Sequence, residues 1–197
     1  IFSCFDPISS IAASLSFKSP FYSVMGKEDL CNEAKRKFSK DSDQLAVANV
    51  MKEWSETRQN QRNFCYQNFL SHSTLLMLER MKTQFGESLS FSKFITNSRC
   101  DSKDSNKFSN NVDVLRGVIC GGLYPNVAYR MIKVSGHRRR EIIKIGHKSV
   151  KLLPSSVNCD DYTVYDPGYL VYHELQKFTN SFFLMETTAN VGPYAIL

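Results

Sequence analysis

The 197-residue chain has no closely spaced cysteine pair. Its six cysteines, Cys4, Cys31, Cys65, Cys100, Cys120 and Cys159, are never nearer than 20 residues to one another. A zinc ribbon or knuckle needs C-x-x-C-type pairs to set two thiolates on one ion, so no metal site is expected. Cys4, Cys65 and Cys120 sit inside apolar patterns, where a free thiol packs as a small hydrophobe; this predicts a reducing intracellular compartment. No run approaches the roughly 18 apolar residues of a membrane span, so no membrane partner is expected. A secretory leader is not expected either, because the first basic residue, Lys18, follows the opening apolar stretch instead of preceding it. The initial Ile1 predicts a fragment or a processed chain.

Catalytic signatures are also missing. Gly26-Lys27 is followed by Glu28 and lacks the upstream glycine of a phosphate-binding loop. There is no H-E-x-x-H, no G-x-S-x-G and no dinucleotide-binding glycine pattern. His72, His137, His147 and His173 are scattered, with no carboxylate or thiol partner close in sequence. No catalytic residue and no cofactor is therefore expected in this chain.

The texture changes near residue 100. Asp6-Pro7 can open a helix whose face carries Ile8, Ile11, Ala12 and Leu15, and Ser19-Pro20 stops it. Asp29 to Phe38 reads as a short basic amphipathic helix. Asp41-Ser42-Asp43 offers N-caps for a helix carrying Leu45, Val47, Val50, Met51 and Trp54. Phe64, Tyr66 and Phe69 follow a turn near Gln59-Asn60. Ser71-His72-Ser73 can then cap a long helix with Leu75, Leu78, Met81, Phe85 and Leu89 on one side. Trp54, Phe64, Tyr66, Phe69, Met77, Met81 and Phe85 are expected in the core. These segments predict an antiparallel helical bundle over residues 1–96. Residues 97–107 are polar and read as a flexible linker. Asn110 can cap a helix that ends at Gly121-Gly122.

Beyond that, short runs rich in Val, Ile, Tyr and Phe alternate with turn signals. They lie at Val127 to Val134, Glu141 to Ile145, Val150 to Leu153, Tyr169 to His173 and Ser181 to Glu186. Five such strands predict a small Greek-key barrel of the OB-fold type over 108–197, incomplete at its C-terminal end. The fold class is thus α+β, a helical bundle followed by a barrel.

Net charge is +6, from 25 basic and 19 acidic residues. The excess is local. Arg130, Lys133, Arg138, Arg139, Arg140, Lys144, Lys148 and Lys151 lie in one stretch with a single acid, Glu141. On a barrel surface such a cluster attracts phosphates, and Tyr124 and Tyr129 beside it could stack on bases. The alternative is a solvated basic hairpin with no ligand.

Six collinear segments resemble one family. FDPISSIAASLSFKSPF, KFSKDSDQLAVANVMKEW, NFCYQNFLSHSTLLMLERMKTQF, VDVLRGVICGGLYPNVA, VKLLPSSVN and YLVYHE are similar to the C-terminal accessory region of DEAH-box RNA helicases. The subfamily they resemble most holds the quadruplex-resolving and YTH-domain-containing members. The resemblance implies a ratchet-like helical domain followed by an OB-fold, and a parent protein whose ATP- and magnesium-binding domains lie elsewhere. It implies that Ser42-Asp43, Tyr124, Asn126 and the Pro154-Ser155-Ser156 turn lie towards single-stranded or structured RNA. It also implies a regulatory protein partner and a cytoplasmic, in part nuclear, location. Gln44, Leu153 and Leu175 stand where the family usually has His, His and Lys. Two readings stay open: the accessory region of an active RNA helicase, or the matching region of an inactive helicase-like adaptor that binds mRNA and partner proteins in translational repression.

Overall fold

The computed structural model describes residues 2–135, 138–159, 167–178 and 181–191, with the side chains at 134, 135, 138–140 and 190 left outside the description. By contacts the chain divides into two compact units. One comprises Ile1–Ser39 and Leu45–Leu115, the other Lys40–Gln44 and Arg116–Leu197.

The first unit is helical. Its elements are α1 (Phe5–Ser16), α2 (Glu28–Phe38), most of α3 (Asp43–Glu56), α4 (Gln61–Gln67), α5 (His72–Phe91), a 3-10 turn at Asp104–Asn106 and the start of α6 (Val112–Leu123). Ser71 caps α5 as its sequence suggests, its hydroxyl accepting from the Thr74 amide at 3.3 Å. The core collects Phe38, Val47, Val50, Met51, Trp54, Cys65, Leu70, Leu75 and Leu78, with Phe21, Phe64, Met81 and Phe85 packed against it.

Three expected core residues lie outside it: Phe69, which follows α4, is half-buried against Tyr22, while Tyr66 is 79% exposed and Met77 is 42% exposed. Tyr66 and Met77 fall on the outer stripe of their helices, where spacing of three or four residues permits either face. The buried side of α1 also differs from the expected one. Ser10, Ile11, Ala13 and Ser14 are buried, while Ile8, Ala12 and Leu15 are only half-buried. The serines tolerate burial because their hydroxyls donate to carbonyls of their own helix, Ser10 to Asp6 at 2.9 Å and Ser14 to Ile11 at 3.0 Å.

The stretch 97–107 is pinned by hydrogen bonds. The Asn106 side chain accepts from the Asp6 amide at 2.8 Å and donates to the Cys100 and Ser102 carbonyls at 2.6 and 2.8 Å. Its polarity is spent on backbone groups, which is why it reads as a linker from composition. The cap of α6 is Asn111 instead of Asn110: its carbonyl oxygen accepts from the Asp113 and Val114 amides at 3.1 and 3.2 Å.

In α5, Gly86 lets the backbone of this stretch approach. A Cβ placed there would lie 2.1 Å from the Ser98 carbonyl oxygen. Gly86→Ala is expected to cost about 1–3 kcal/mol by overpacking, despite alanine's better helix propensity. Thermal denaturation checks this, with Gly117→Ala, which meets no neighbour, as the harmless comparison.

The second unit is a five-stranded barrel. Its strands are β1 (Val127–Ser135), β2 (Arg138–Ile145), β3 (Lys148–Leu152), β4 (Gly168–Phe178) and β5 (Ser181–Val191). They close in the order β1-β2-β3-β5-β4. All neighbours are antiparallel except β3 and β5, which run parallel with Lys151 opposite Phe183. β5 continues past Glu186 to Val191 and pairs with both its neighbours, so the five strands leave no open edge between them. Its second half, Glu186-Thr187-Thr188, reads as polar, but β-branched threonine suits a strand once its hydroxyl has a partner. Helix α6 also runs through Gly121-Gly122 and stops only before Pro125, which has no amide hydrogen to continue it.

The barrel core holds Ala128, Ile143, Val150, Leu152, Leu170, Tyr172, Leu184 and Ala189. Cys120 and Leu123 of α6 pack with Val127, Val171 and Val191 over one end.

Candidate nucleic-acid interface

The family resemblance implies that Ser42, Asp43 and Ser156 lie towards RNA. In the structure all three side chains are buried and engaged with the barrel unit. Asp43 is the hub. One carboxylate oxygen accepts from the Ser156 hydroxyl at 2.6 Å and the Thr187 amide at 2.8 Å; the other accepts from the Val157 amide at 2.9 Å. Asn158 donates to the Thr187 carbonyl and hydroxyl at 3.0 and 2.8 Å. Ser42 shares a hydrogen bond with the Thr188 hydroxyl at 2.6 Å, and the Ala189 amide donates to the Asp41 carbonyl at 2.7 Å. Gln44, which stands where the family usually has histidine, donates its amide nitrogen to the Glu186 carbonyl. These residues thus tie the first turn of α3 and the two residues before it to β5 and to the turn after β3. A solvent-facing contact at Ser42, Asp43 or Ser156 is not what the structure presents, because their polar atoms are consumed by buried partners.

Arg130 is a second inward residue. Strand alternation turns it inside with Ala128, leaving it 2% exposed, and its Nε lies 2.7 Å from Glu141. Burial pushes the Glu141 carboxyl up, opposed by the Arg130 charge.

Other expected residues do reach the surface. Tyr124 is 62% exposed, and Ser155, Lys133, Lys148 and Lys151 are exposed. Asn126 is half-buried and donates to the His173 carbonyl at 2.9 Å. Arg138, Arg139 and Arg140 lie in β2, opposite Ser135, Val134 and Lys133 of β1; their side chains are outside the described residues.

The structure adds a group that charge counting missed. Lys148 and Lys177 both lie over the Phe182 ring, at 5.7 and 5.8 Å, and Lys151 lies over Phe183 at 5.9 Å. Phe178 and Phe183 meet edge to face at 5.6 Å, with Phe178 48% exposed. Strand pairing sets Lys151 opposite Phe183 across β3 and β5, and Lys177 opposite Phe182 across β4 and β5; the two rings are neighbours in β5 and point to opposite faces, Phe182 packing against the barrel core. A further aromatic pair, Tyr129 and Tyr169, sits at 5.4 Å on β1 and β4. The sequence signal for the first group was two aromatic-bearing runs, Lys177-Phe178 and Phe182-Phe183, on either side of a short Thr-Asn break. Among the described residues no cluster of His, Cys, Asp and Glu could hold a metal ion, and no helix is long and apolar enough to cross a membrane.

Comparison with known proteins agrees with this architecture. Residues 1–78 match the helicase-associated, ratchet-like domain, and residues 115–197 match the oligonucleotide/oligosaccharide-binding fold. The ATP-dependent DNA/RNA helicase DHX36 of Homo sapiens is 37% identical across 100% of this chain and 20% of its own length. The DExH-box ATP-dependent RNA helicase DExH1 of Arabidopsis thaliana is 36% identical across 100% of the chain and 19% of its own. The human ATP-dependent RNA helicase DHX29 is 29% identical, with 15% of its length covered.

The chain belongs to the C-terminal accessory region of the DEAH-box helicases. It spans about a fifth of the length of the DHX36 and DExH1 relatives. Within that accessory region, Asp43 lies in the stretch matched by the ratchet-like domain, yet its contacts place it with the barrel unit.

Asp43→Ala strips the buried Ser156, Val157 and Thr187 donors of their acceptor. Each orphaned donor costs about 1–3 kcal/mol, so a loss of at least about 3 kcal/mol is expected. Chemical denaturation followed by the amide signals of β5 checks this; an unchanged midpoint would contradict it.

Proposed function

We propose that this region engages single-stranded RNA through the outer face of β3, β4 and β5 and serves the translocating strand of a parent RNA helicase. The observation that carries this reading is the group of Lys151, Phe178 and Phe183, in which Lys151 lies over Phe183 and Phe178 meets it edge to face, with Lys148 and Lys177 adding charge beside it over Phe182. A lysine over the half-buried Phe183, beside the exposed Phe178, offers phosphates a counter-charge and bases a stacking platform, which is what sequence-tolerant single-strand binding requires. The basic run through β1 and β2, from Lys133 to Lys144, would extend the electrostatic path, and Tyr124 and Ser155 would contact the strand as the family resemblance implies. ATP hydrolysis with magnesium would belong to the rest of the parent protein. Docking of a regulatory protein belongs to the same reading.

A second reading is an inactive helicase-like adaptor that uses the same faces to hold mRNA and partner proteins in translational repression. The departures at Leu153 and Leu175 favour it. Gln44 does not, since its side chain is bonded within the barrel unit.

Fluorescence anisotropy with a labelled oligouridine tests the RNA surface. Lys148→Glu with Lys151→Glu should weaken binding and lower the salt slope by about 0.7 for every phosphate no longer neutralised. Phe183→Ala should cost about 1–3 kcal/mol with little change in slope. Reversing Arg138, Arg139 and Arg140 to Glu should also abolish binding at low salt. Identical titrations for wild type and all three variants would refute the RNA reading.

A further inference from the structure

The barrel carries a second aromatic group, and strand register sets it in a row with a cation. Tyr169 of β4 stands opposite Tyr129 of β1, Tyr129 opposite Lys144 of β2, and Lys144 opposite Ser149 of β3. Directly opposed residues in antiparallel strands share a face, with Cβ atoms about 4.5–5.5 Å apart. The row therefore crosses four strands on one side of the sheet. That side is the outer one, because the residues next to the row, Ala128, Arg130, Ile143, Val150 and Leu170, are buried. The two tyrosine rings lie 5.4 Å apart, tilted by 56°, and Tyr129 and Tyr169 are 40% and 37% exposed. Lys144 is half-buried and Ser149 exposed.

The fold explains why tyrosines stand here. Val127 and Val171 form the neighbouring outward pair, and Cys120 and Leu123 of α6 pack over them. Tyr129 and Tyr169 are the next outward pair, where the cover of the helix gives out. A tyrosine suits such a boundary, since its ring packs while its hydroxyl stays wet. The same open rings give a nucleobase a face to stack on, and a lysine one strand away meets the phosphate attached to it. Ser149, a strand further on, adds a hydroxyl of the kind that contacts phosphate and sugar oxygens.

We propose that Tyr129, Tyr169 and Lys144 form a second single-strand RNA site on the barrel, with one base on the tyrosine pair and its phosphate at Lys144. This inference rests on the RNA reading above and adds a footprint to it: one strand occupies two platforms. Tyr169 and Phe178 stand near the two ends of β4, nine residues apart, which is about 30 Å of strand. At about 3.4 Å per stacked nucleotide, a strand of about four nucleotides covers about 14 Å and engages one platform, whereas about sixteen cover about 54 Å and can engage both. Binding at the second platform is then intramolecular and raises the affinity of the longer strand.

The test uses the whole chain and fluorescein-labelled oligouridines of about four and about sixteen nucleotides, the range of single-strand sites on such barrels. Wild type should bind the longer one at least about tenfold more tightly. Tyr129→Ser with Tyr169→Ser should weaken the longer one about tenfold, as the loss of a stacked base gives, and change the shorter one, still held at Phe178 and Phe183, by no more than about threefold. Tyr129→Phe with Tyr169→Phe keeps both rings and should bind as wild type does. Lys144→Glu should lower the salt slope for the longer strand by at least about 0.7, and it decides the matter if circular dichroism shows the serine variant unfolded. Undiminished binding of the longer strand by the serine variant and by Lys144→Glu, alongside weakening by Phe183→Ala, would overturn this proposal and leave the RNA reading standing. So would an equal loss in the phenylalanine variant, because stacking would then not be the contact. No binding of either oligonucleotide to wild type would overturn both.

Discussion

A single carboxylate organises the barrel unit. Asp43 gathers donors from two separate places in the chain, the turn at Ser156-Val157 and the middle of β5 at Thr187. Neither place could be buried without an acceptor of this kind. Backbone amides closed off from water need a partner, and a carboxylate with two oxygens can serve several at once. Charge-assisted bonds of this sort are shorter and stronger than neutral ones. The polar second half of β5 can thus be a barrel strand because the start of α3 supplies what it lacks.

That arrangement separates two jobs by face. Polar atoms that point inward, from Ser42, Asp43, Gln44, Ser156, Asn158, Thr187 and Thr188, are committed to one another. Cations and rings that point outward remain available. Lys151 can stand over Phe183 because β3 and β5 hold register beneath it. An outward lysine above a ring is held by its stem as well as by its charge, so the surface is partly ordered before any ligand arrives.

Much of this was legible in the sequence. The helical spacing of Leu75, Leu78, Met81 and Phe85 marked out α5, Ser71 marked its start, and period-two runs of Val, Ile and Tyr marked out β1 to β3. What sequence pattern could not supply was the partner of each polar residue. Asp43 looks like any N-cap in an Asp-Ser-Asp run, and its role depends on residues more than a hundred positions away. Arg130 looks like part of a basic surface, and only strand alternation from Ala128 turns it inward onto Glu141.

The central claim is that the Asp43 carboxylate holds the barrel closed, and hydrogen exchange tests it most directly. In the native protein the amides of Val157 and Thr187 should exchange as slowly as the innermost barrel amides, such as Leu170. In Asp43→Ala, which removes both acceptor oxygens, exchange at both should accelerate by two or more orders of magnitude, as expected for a loss of about 3 kcal/mol. Fast exchange at Val157 and Thr187 in the native protein, alongside a protected Leu170, would show that the barrel closes without this carboxylate and would contradict the account.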